Sequence, residues 1–116
     1  MDQDPTSTDP DAYRTIFEND RVRVLEYRDK PEYKTKPHSH HPDSVMYTLS
    51  SFSRRLGGGD KEVDVELSAG TVRWIGAQEH YGHNIGDTES HCIFVELKEL
   101  APGAHDPDHP LGPSAT

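Results

Sequence analysis

Short segments of alternating apolar and polar residues, separated by turn signals, recur along most of this 116-residue chain. Successive side chains of a β-strand point to opposite faces, so this alternation is typical of strands with one buried face. The clearest case is Lys61–Leu67, where Val63, Val65 and Leu67 share a face and acidic residues occupy the other. A glycine-rich turn at residues 57–60 precedes it. With no helical period elsewhere, short strands at this spacing predict an all-β sandwich or small barrel.

Composition divides the chain into one foldable domain and two tails. Hydrophobic residues make up only 31% of the sequence, which also contains 9 glycines and 9 prolines. Residues 1–12 and 101–116 are dominated by aspartate, proline and small polar residues, a composition that favours disorder. We therefore expect a single barrel domain over residues 13–100, flanked by disordered tails at residues 1–12 and 101–116.

Charge and targeting signals exclude several classes of function. The formal net charge of −9 argues against nucleic-acid binding, which needs lysine and arginine to displace counterions. We find no secretory signal and no apolar run long enough to cross a membrane. Cys92 is the single cysteine, which excludes an internal disulfide and suits a reducing compartment. These features predict a soluble cytoplasmic protein that binds neither nucleic acid nor membrane.

A pair of histidines at residues 38 and 40 indicates half of a metal site. His38 and His40 are two residues apart, so on a strand they project to the same side. Histidine is the commonest metal ligand near neutral pH. A third ligand is expected from residues 79–84, which contain His80 and His83. Parity places His80 and His83 on opposite faces of a strand, so only one of them is expected to join the pair.

The order of these segments resembles the two-motif pattern of the small single-domain cupins. His38 and His40 match the H-x-H of the first cupin motif, and Gly70, His80 and Asn84 match the second, with its H-x3-N spacing. The resemblance covers residues 15–98. It implies a cupin-type double-stranded β-helix, or jelly-roll, barrel in which His38, His40 and His80 bind one divalent transition metal.

The sequence departs from the family pattern at the fourth ligand. The first motif's glutamate is expected at Ser44 or Val45, and neither residue can replace it well. The site therefore resembles the three-histidine variant of the family, in which Asp43 could substitute if the local register shifts, or water could fill the position. Gly76 and Gln78 stand near the places of the second motif's proline and glycine.

A three-histidine site leaves coordination positions open, and open positions distinguish catalytic from structural metal sites. The resemblance implies a dioxygenase-like enzyme acting on a small organic molecule if the metal is iron. With zinc, nickel or manganese, it implies a Lewis-acid isomerase or cyclase. A non-catalytic ligand-binding or sensor cupin is the alternative from another class. Candidate acid or base residues are Glu79, His83 and Tyr47.

Three further expectations concern the surroundings of the site and the assembly. Tyr47, Trp74, Phe94 and Cys92 are expected to line a pocket or to pack in the core. Arg54 and Arg55 are adjacent, so at most one of them can point inward, where it would suit a carboxylate substrate. A small barrel with an open edge is expected to hide that edge in a homodimer.

Overall fold

Two antiparallel sheets face each other in the computed structural model, which describes residues 3–40 and 42–98. The elements are α1 (Pro5–Thr8), β1 (Tyr13–Glu18), β2 (Val22–Asp29), β3 (His38–His40), β4 (Ser44–Thr48), β5 (Phe52–Gly58), β6 (Lys61–Leu67), β7 (Val72–Ile75), β8 (Gln78–Asn84) and β9 (Ser90–Leu97). One sheet has the order β1-β2-β9-β4-β7 and the other the order β3-β8-β5-β6. The predicted all-β architecture is confirmed. Within the described ranges, no helix is long and apolar enough to cross a membrane.

The predicted glycine turn and alternating strand form the β5–β6 hairpin. Gly59 closes it with a φ of 61°, in the left-handed region that a residue with a Cβ adopts at a cost. Beyond the turn, Val65 and Leu67 face the interior as expected, and both line the cavity between the sheets. Val63, on the same face but near the turn, is 55% exposed. The alternation therefore predicts which face of the sheet each side chain occupies. How exposed that side chain is depends on its position along the strand.

The N-terminal segment differs from the predicted disordered tail at residues 1–12. From Gln3 onward it packs against the barrel, where the Ser39 amide donates to the Gln3 carbonyl at 2.8 Å. Asp4 pairs with Arg23 at 2.7 Å, and buried Asp9 accepts a hydrogen bond from the Tyr33 hydroxyl at 2.9 Å. The acidic composition of this segment predicts exposure to solvent, but Asp4 and Asp9 are bound by Arg23 and Tyr33. The tail predicted at residues 101–116 lies outside the described residues.

The core lies between the sheets and is centred on β2 and β9. Leu25 is fully buried and is paired in register with Phe94, while Tyr27 is paired with Cys92. Met46 from β4 is buried in the same cluster. These strands alternate as the sequence predicts, which directs the large apolar side chains inward.

The edge strand β7 exposes apolar side chains. Val72 is 54% exposed and Trp74 is 59% exposed, and Tyr47 lies opposite Val72 in the register. An apolar edge of this kind is compatible with pairing between copies. The expected homodimer stays a prediction.

A buried ion pair connects the two sheets. Arg54 Nη1 on β5 donates to Asp29 Oδ2 at the end of β2 over 2.5 Å, and the Asp29 side chain is fully buried. Asp29 also accepts hydrogen bonds from the Tyr27 hydroxyl, from Asn84 Nδ2 at 3.0 Å and from the Ser90 amide at 3.2 Å. Buried charges of this kind are tolerated only when they are paired and hydrogen-bonded. The network therefore fixes how the sheets face each other.

Replacing Arg54 with methionine should destabilise the protein strongly, because it leaves the Asp29 carboxylate buried without its counter-charge. We expect the free energy of unfolding to fall by about 3–5 kcal/mol in urea titrations followed by circular dichroism. The matched control is Arg55→Met, since Arg55 pairs on the outer face with Asp64 at 2.8 Å. Exposed pairs contribute little, so the control should unfold like the wild type. If the two substitutions lower the free energy of unfolding equally, the buried pair does not stabilise the fold more than the exposed pair does.

Candidate metal centre

Three histidines converge at one end of the space between the sheets. His38 and His40 lie on β3, and His80 on β8 is the register partner of His38. The ring centroids are 4.7 Å apart for His38 and His40, 5.0 Å for His38 and His80, and 4.9 Å for His40 and His80. One ring nitrogen from each lies within 4.8 Å of the others. The strand parity expected from the sequence thus brings three potential ligands together.

The surrounding groups orient the three rings. The Nδ1 atom of His38 donates to the Lys36 carbonyl at 2.9 Å, and the Nδ1 atom of His80 donates to Gln78 Oε1 at 2.7 Å. In both rings this leaves Nε2 with a free lone pair, and the Nε2 atom of His38 is buried without a hydrogen-bond partner among the described residues. Partners of this kind on the second nitrogen fix the tautomer of metal-binding histidines.

Burial keeps two of the imidazoles neutral. Two causes lower the pKa of His38 to about 4: desolvation by burial, which is the larger, and the nearby His40. The same two causes, in the same order, lower the pKa of His80 to about 3. Only the neutral imidazole can donate a lone pair to a metal ion. At neutral pH, both rings are therefore in the form that coordination requires.

Behind His40 lies a buried carboxylate that no motif indicated. Glu96 is 2% exposed, and its Oε2 atom lies 3.8 Å from His40 Nδ1, a distance longer than a hydrogen bond. Its Oε1 atom accepts from Arg23 Nε at 2.6 Å, and Arg23 in turn binds Asp4. Burial raises the pKa of Glu96, but the approach of His40 and the hydrogen bond from Arg23 outweigh it and lower that pKa below its ordinary value. The carboxylate therefore stays ionised beside the ring of His40.

Ser44 occupies the position where the family pattern places a glutamate. It is 1% exposed and lies directly opposite Glu96 in the register of β4 and β9. The Ser44 hydroxyl, Glu96 Oε2 and His40 Nδ1 are all buried without hydrogen-bond partners in the described part of the chain. A small residue on β4 thus leaves room for a carboxylate on β9. Asp43 is exposed and accepts from the Ala77 amide at 2.9 Å, so it does not join the histidines.

An apolar cavity of about 260 Å³ opens beside His38 and His80. Aromatic residues from both sheets form much of its wall: Tyr13, Tyr27, Phe52, Trp74 and Phe94. The polar side chains that reach it, besides the two histidines, are Arg54, Arg73 and Gln78. A metal held by the three rings would therefore face a space in which a small organic molecule could lie.

The sequence-predicted acid or base candidates lie away from this cavity. Tyr47 is 44% exposed and points to the outer face of its sheet. Glu79 is exposed and His83 is half-buried, and neither lines the cavity. Of the residues expected in a pocket or core, Trp74, Phe94 and Cys92 line the cavity and Tyr47 does not.

Of the two adjacent arginines, Arg54 points inward and Arg55 outward, in agreement with their parity. The inward Arg54 differs from the expected carboxylate receptor, however, because its charge is already engaged by Asp29 at 2.5 Å. Arg54 also donates to Ser90 Oγ at 3.1 Å. Its role in the structure is to join the two sheets.

Three residues near the histidines were missed by sequence reasoning. Parity could have indicated two of them, because Glu96 shares a face with Cys92 and Phe94, and Gln78 shares a face with His80. Tyr13 packs against His38 with ring centroids 5.4 Å apart. Because β1 and β3 are far apart in the sequence, this contact becomes visible only in the folded structure. No local sequence signal points to Tyr13.

Comparison with known proteins gives matches by structure alone: no family model and no curated protein matches this sequence. A cupin domain protein from Bordetella pertussis is 27% identical, with a TM-score of 0.70 over 75% of this chain and 92% of that one. The polyketide cyclase RemF from Streptomyces resistomycificus is 24% identical, with a TM-score of 0.58 over 75% of this chain and 64% of that one.

A third solved structure is an RmlC-like cupin family protein with a double-stranded β-helix fold, from Methanocaldococcus jannaschii. It is 9% identical, with a TM-score of 0.61 over 74% of this chain and 78% of that one. Such low identity reports on the fold alone, and the fold agrees with the two facing sheets described above. Together with the motif residues on β3 and β8, these likenesses show that the chain has the double-stranded β-helix fold of the small cupin domain proteins that it resembles.

Proposed function

We propose that this protein is a metal-dependent enzyme that acts on a small organic molecule. In this proposal His38, His40 and His80 bind one divalent transition metal through their Nε2 atoms, and the adjoining cavity holds the substrate. The observation that carries the proposal is the convergence of three histidines, with one ring nitrogen of each within 4.8 Å of the others, beside an apolar cavity that His38 and His80 line.

The residues present fit such a metal. A buried polar atom without a hydrogen-bond partner is costly, and His38 Nε2 is one of these atoms in the described residues. Coordination would satisfy it. Imidazole nitrogens suit iron, zinc, nickel and manganese, and a site with three protein ligands leaves positions for substrate. A bound metal would supply O₂ chemistry if it is iron, or Lewis-acid polarisation if it is zinc, nickel or manganese.

The surrounding residues orient the ligands and exclude water. Lys36 and Gln78 hold the His38 and His80 rings by their Nδ1 atoms, and Glu96 stands behind His40. The apolar wall removes water from the substrate, which strengthens electrostatic interactions inside the site. We favour a dioxygenase-like reaction with iron. The alternative is a non-catalytic protein that binds or senses a small ligand. A protein that contains no metal, or a metal without catalytic activity, would support this alternative.

The third histidine tests the metal centre directly. Protein purified without chelator or histidine tag should contain close to one transition-metal ion per chain by elemental analysis, and His80→Ala should lose most of it. The matched control is His83→Ala, which removes an imidazole from the same strand but from outside the cluster. It should retain the metal and the wild-type circular dichroism spectrum.

The identity of the metal then separates the candidate reactions. Iron would support oxygen-uptake screens, whereas zinc, nickel or manganese would direct screening to isomerisation and cyclisation. If the wild type holds no metal and cannot be reconstituted, or if both histidine variants lose metal equally, the proposed centre does not exist.

Glu96 should strengthen metal binding through His40. The Glu96 carboxylate lies 3.8 Å from His40 Nδ1, so its negative charge favours a proton on that nitrogen and leaves Nε2 for the metal. A carboxylate behind a ligand histidine orients the ring and raises its basicity. We expect Glu96→Gln to weaken zinc affinity by about 10- to 100-fold in competition with a chromophoric chelator. Glutamine keeps an oxygen for Arg23, which limits the effect on folding.

The matched control for this test is Glu26→Gln. Glu26 contacts His91 Nε2 at 2.9 Å, so it forms a carboxylate–histidine pair on the same sheet but away from the cluster. The control should bind zinc like the wild type. Zinc affinities of Glu96→Gln and wild type that agree within a factor of two would refute the role of Glu96.

A further inference from the structure

We propose that the cavity beside the histidine cluster binds a neutral aromatic molecule of one or two rings, and that the Tyr13 hydroxyl hydrogen-bonds to it. This inference rests on the proposed function, because it names the class of molecule that would lie next to the metal. It depends on three properties of the cavity: its charge, its shape and its free hydrogen-bonding group.

The interior of the cavity carries no uncompensated charge among the described residues. Arg54 is the one cation that is buried in its wall, at 8% exposed, and its guanidinium is paired with Asp29 at 2.5 Å. Since Asp29 is fully buried, breaking this pair to free Arg54 for a ligand would leave a carboxylate without compensation. An anionic ligand would therefore meet an arginine that is already neutralised.

The remaining wall is suited to flat apolar rings. Tyr13 and Tyr27 pack with centroids 4.6 Å apart, and Tyr13 and Phe94 with centroids 6.2 Å apart. Phe52 and Trp74 complete the aromatic lining. The volume of about 260 Å³ lies just below the roughly 300–1,000 Å³ of pockets that hold drug-sized ligands. A molecule of one or two rings matches both the size and the surface.

Tyr13 supplies the polar group that would fix the ligand's orientation. The Tyr27 hydroxyl is used by Asp29, whereas the Tyr13 hydroxyl makes no hydrogen bond to the described residues. The Tyr13 ring lies 5.4 Å from His38 and 6.0 Å from His40 between centroids, so it borders the cluster. The Tyr13 side chain lines the cavity, so a ligand there could accept a hydrogen bond from this hydroxyl.

Arg73 is the one feature that could favour an acid. It lines the cavity from β7, but it is exposed and donates to the neighbouring Val72 carbonyl at 2.9 Å. A charge at the solvent edge is screened by water and salt, so it affects the interior weakly. The test includes a variant of this residue.

The binding test compares probes that share one bicyclic skeleton. They are 2-naphthol (uncharged at pH 7), 2-naphthoate (an anion), 2-methylnaphthalene (without a hydroxyl) and decahydro-2-naphthol (without aromatic rings). Affinities are measured by ligand-observed NMR on the metal-free and the zinc-loaded full chain. We expect 2-naphthol to bind both forms at least ten-fold more tightly than 2-naphthoate or decahydro-2-naphthol.

Tyr13→Phe separates the hydroxyl from the ring. The variant should weaken 2-naphthol by about three- to ten-fold, the effect of one hydrogen bond. It should leave the affinity for 2-methylnaphthalene unchanged, since that probe cannot accept the hydrogen bond. A purely structural role for Tyr13 would weaken both probes equally and would overturn the assignment.

Other outcomes would overturn the charge assignment. If 2-naphthoate binds as tightly as 2-naphthol and Arg73→Gln abolishes that binding, the site is an anion receptor. If no probe binds, the cavity does not take aromatic molecules. Zinc content, measured on the same samples, keeps the two proposals apart. Zinc binding without 2-naphthol binding contradicts only the present inference, whereas 2-naphthol binding to a protein that never takes up zinc supports it and contradicts the metal centre.

Discussion

The clustering of three imidazoles, two of them buried, is the constraint on which the rest of this structure depends. His38 and His40 are 1% and 3% exposed, so each ring nitrogen must find a partner or remain costly. Backbone and side-chain acceptors take the Nδ1 atoms of His38 and His80, and an ionised carboxylate stands behind His40. One ring nitrogen of each histidine lies within 4.8 Å of the others. The hydrogen bonds that satisfy the Nδ1 atoms of His38 and His80 therefore also leave their Nε2 atoms available to a metal ion.

A second buried polar network maintains the shape of the cavity. Arg54 and Asp29 join the sheets, and Asn84, Tyr27 and Ser90 complete the hydrogen bonds of the carboxylate. Asn84 is the asparagine of the second motif, and its role here is to support Asp29 and accept from the Gly86 amide at 3.0 Å. The network consumes the charge of the inward arginine. The buried arginine in the cavity wall is thus neutralised, and the same ion pair joins the two sheets that form the walls.

Much of the fold could be predicted from the sequence, because strand alternation is a local signal. The choice of His80 over His83 came instead from the resemblance to the second cupin motif. Strand alternation predicts which side chains face inward, and two-residue spacing places His38 and His40 on one side. Other features depend on contacts between distant segments. The pairing of Arg54 with Asp29, the docking of residues 3–12 through Asp4 and Arg23, and the position of Tyr13 beside His38 have no local signature. Glu96 is intermediate: strand parity would direct it inward with Cys92 and Phe94, but an acidic residue in a strand is ordinarily expected to face solvent.

The central claim is that His38, His40 and His80 hold one metal ion through their Nε2 atoms. A crystal structure of the zinc-loaded protein, with anomalous data collected on both sides of the zinc absorption edge, tests it most directly. The account predicts one anomalous peak per chain, about 2.0–2.1 Å from each of the three Nε2 atoms. A peak bound through Nδ1, a peak at another group of residues, or no peak at the cluster would contradict it.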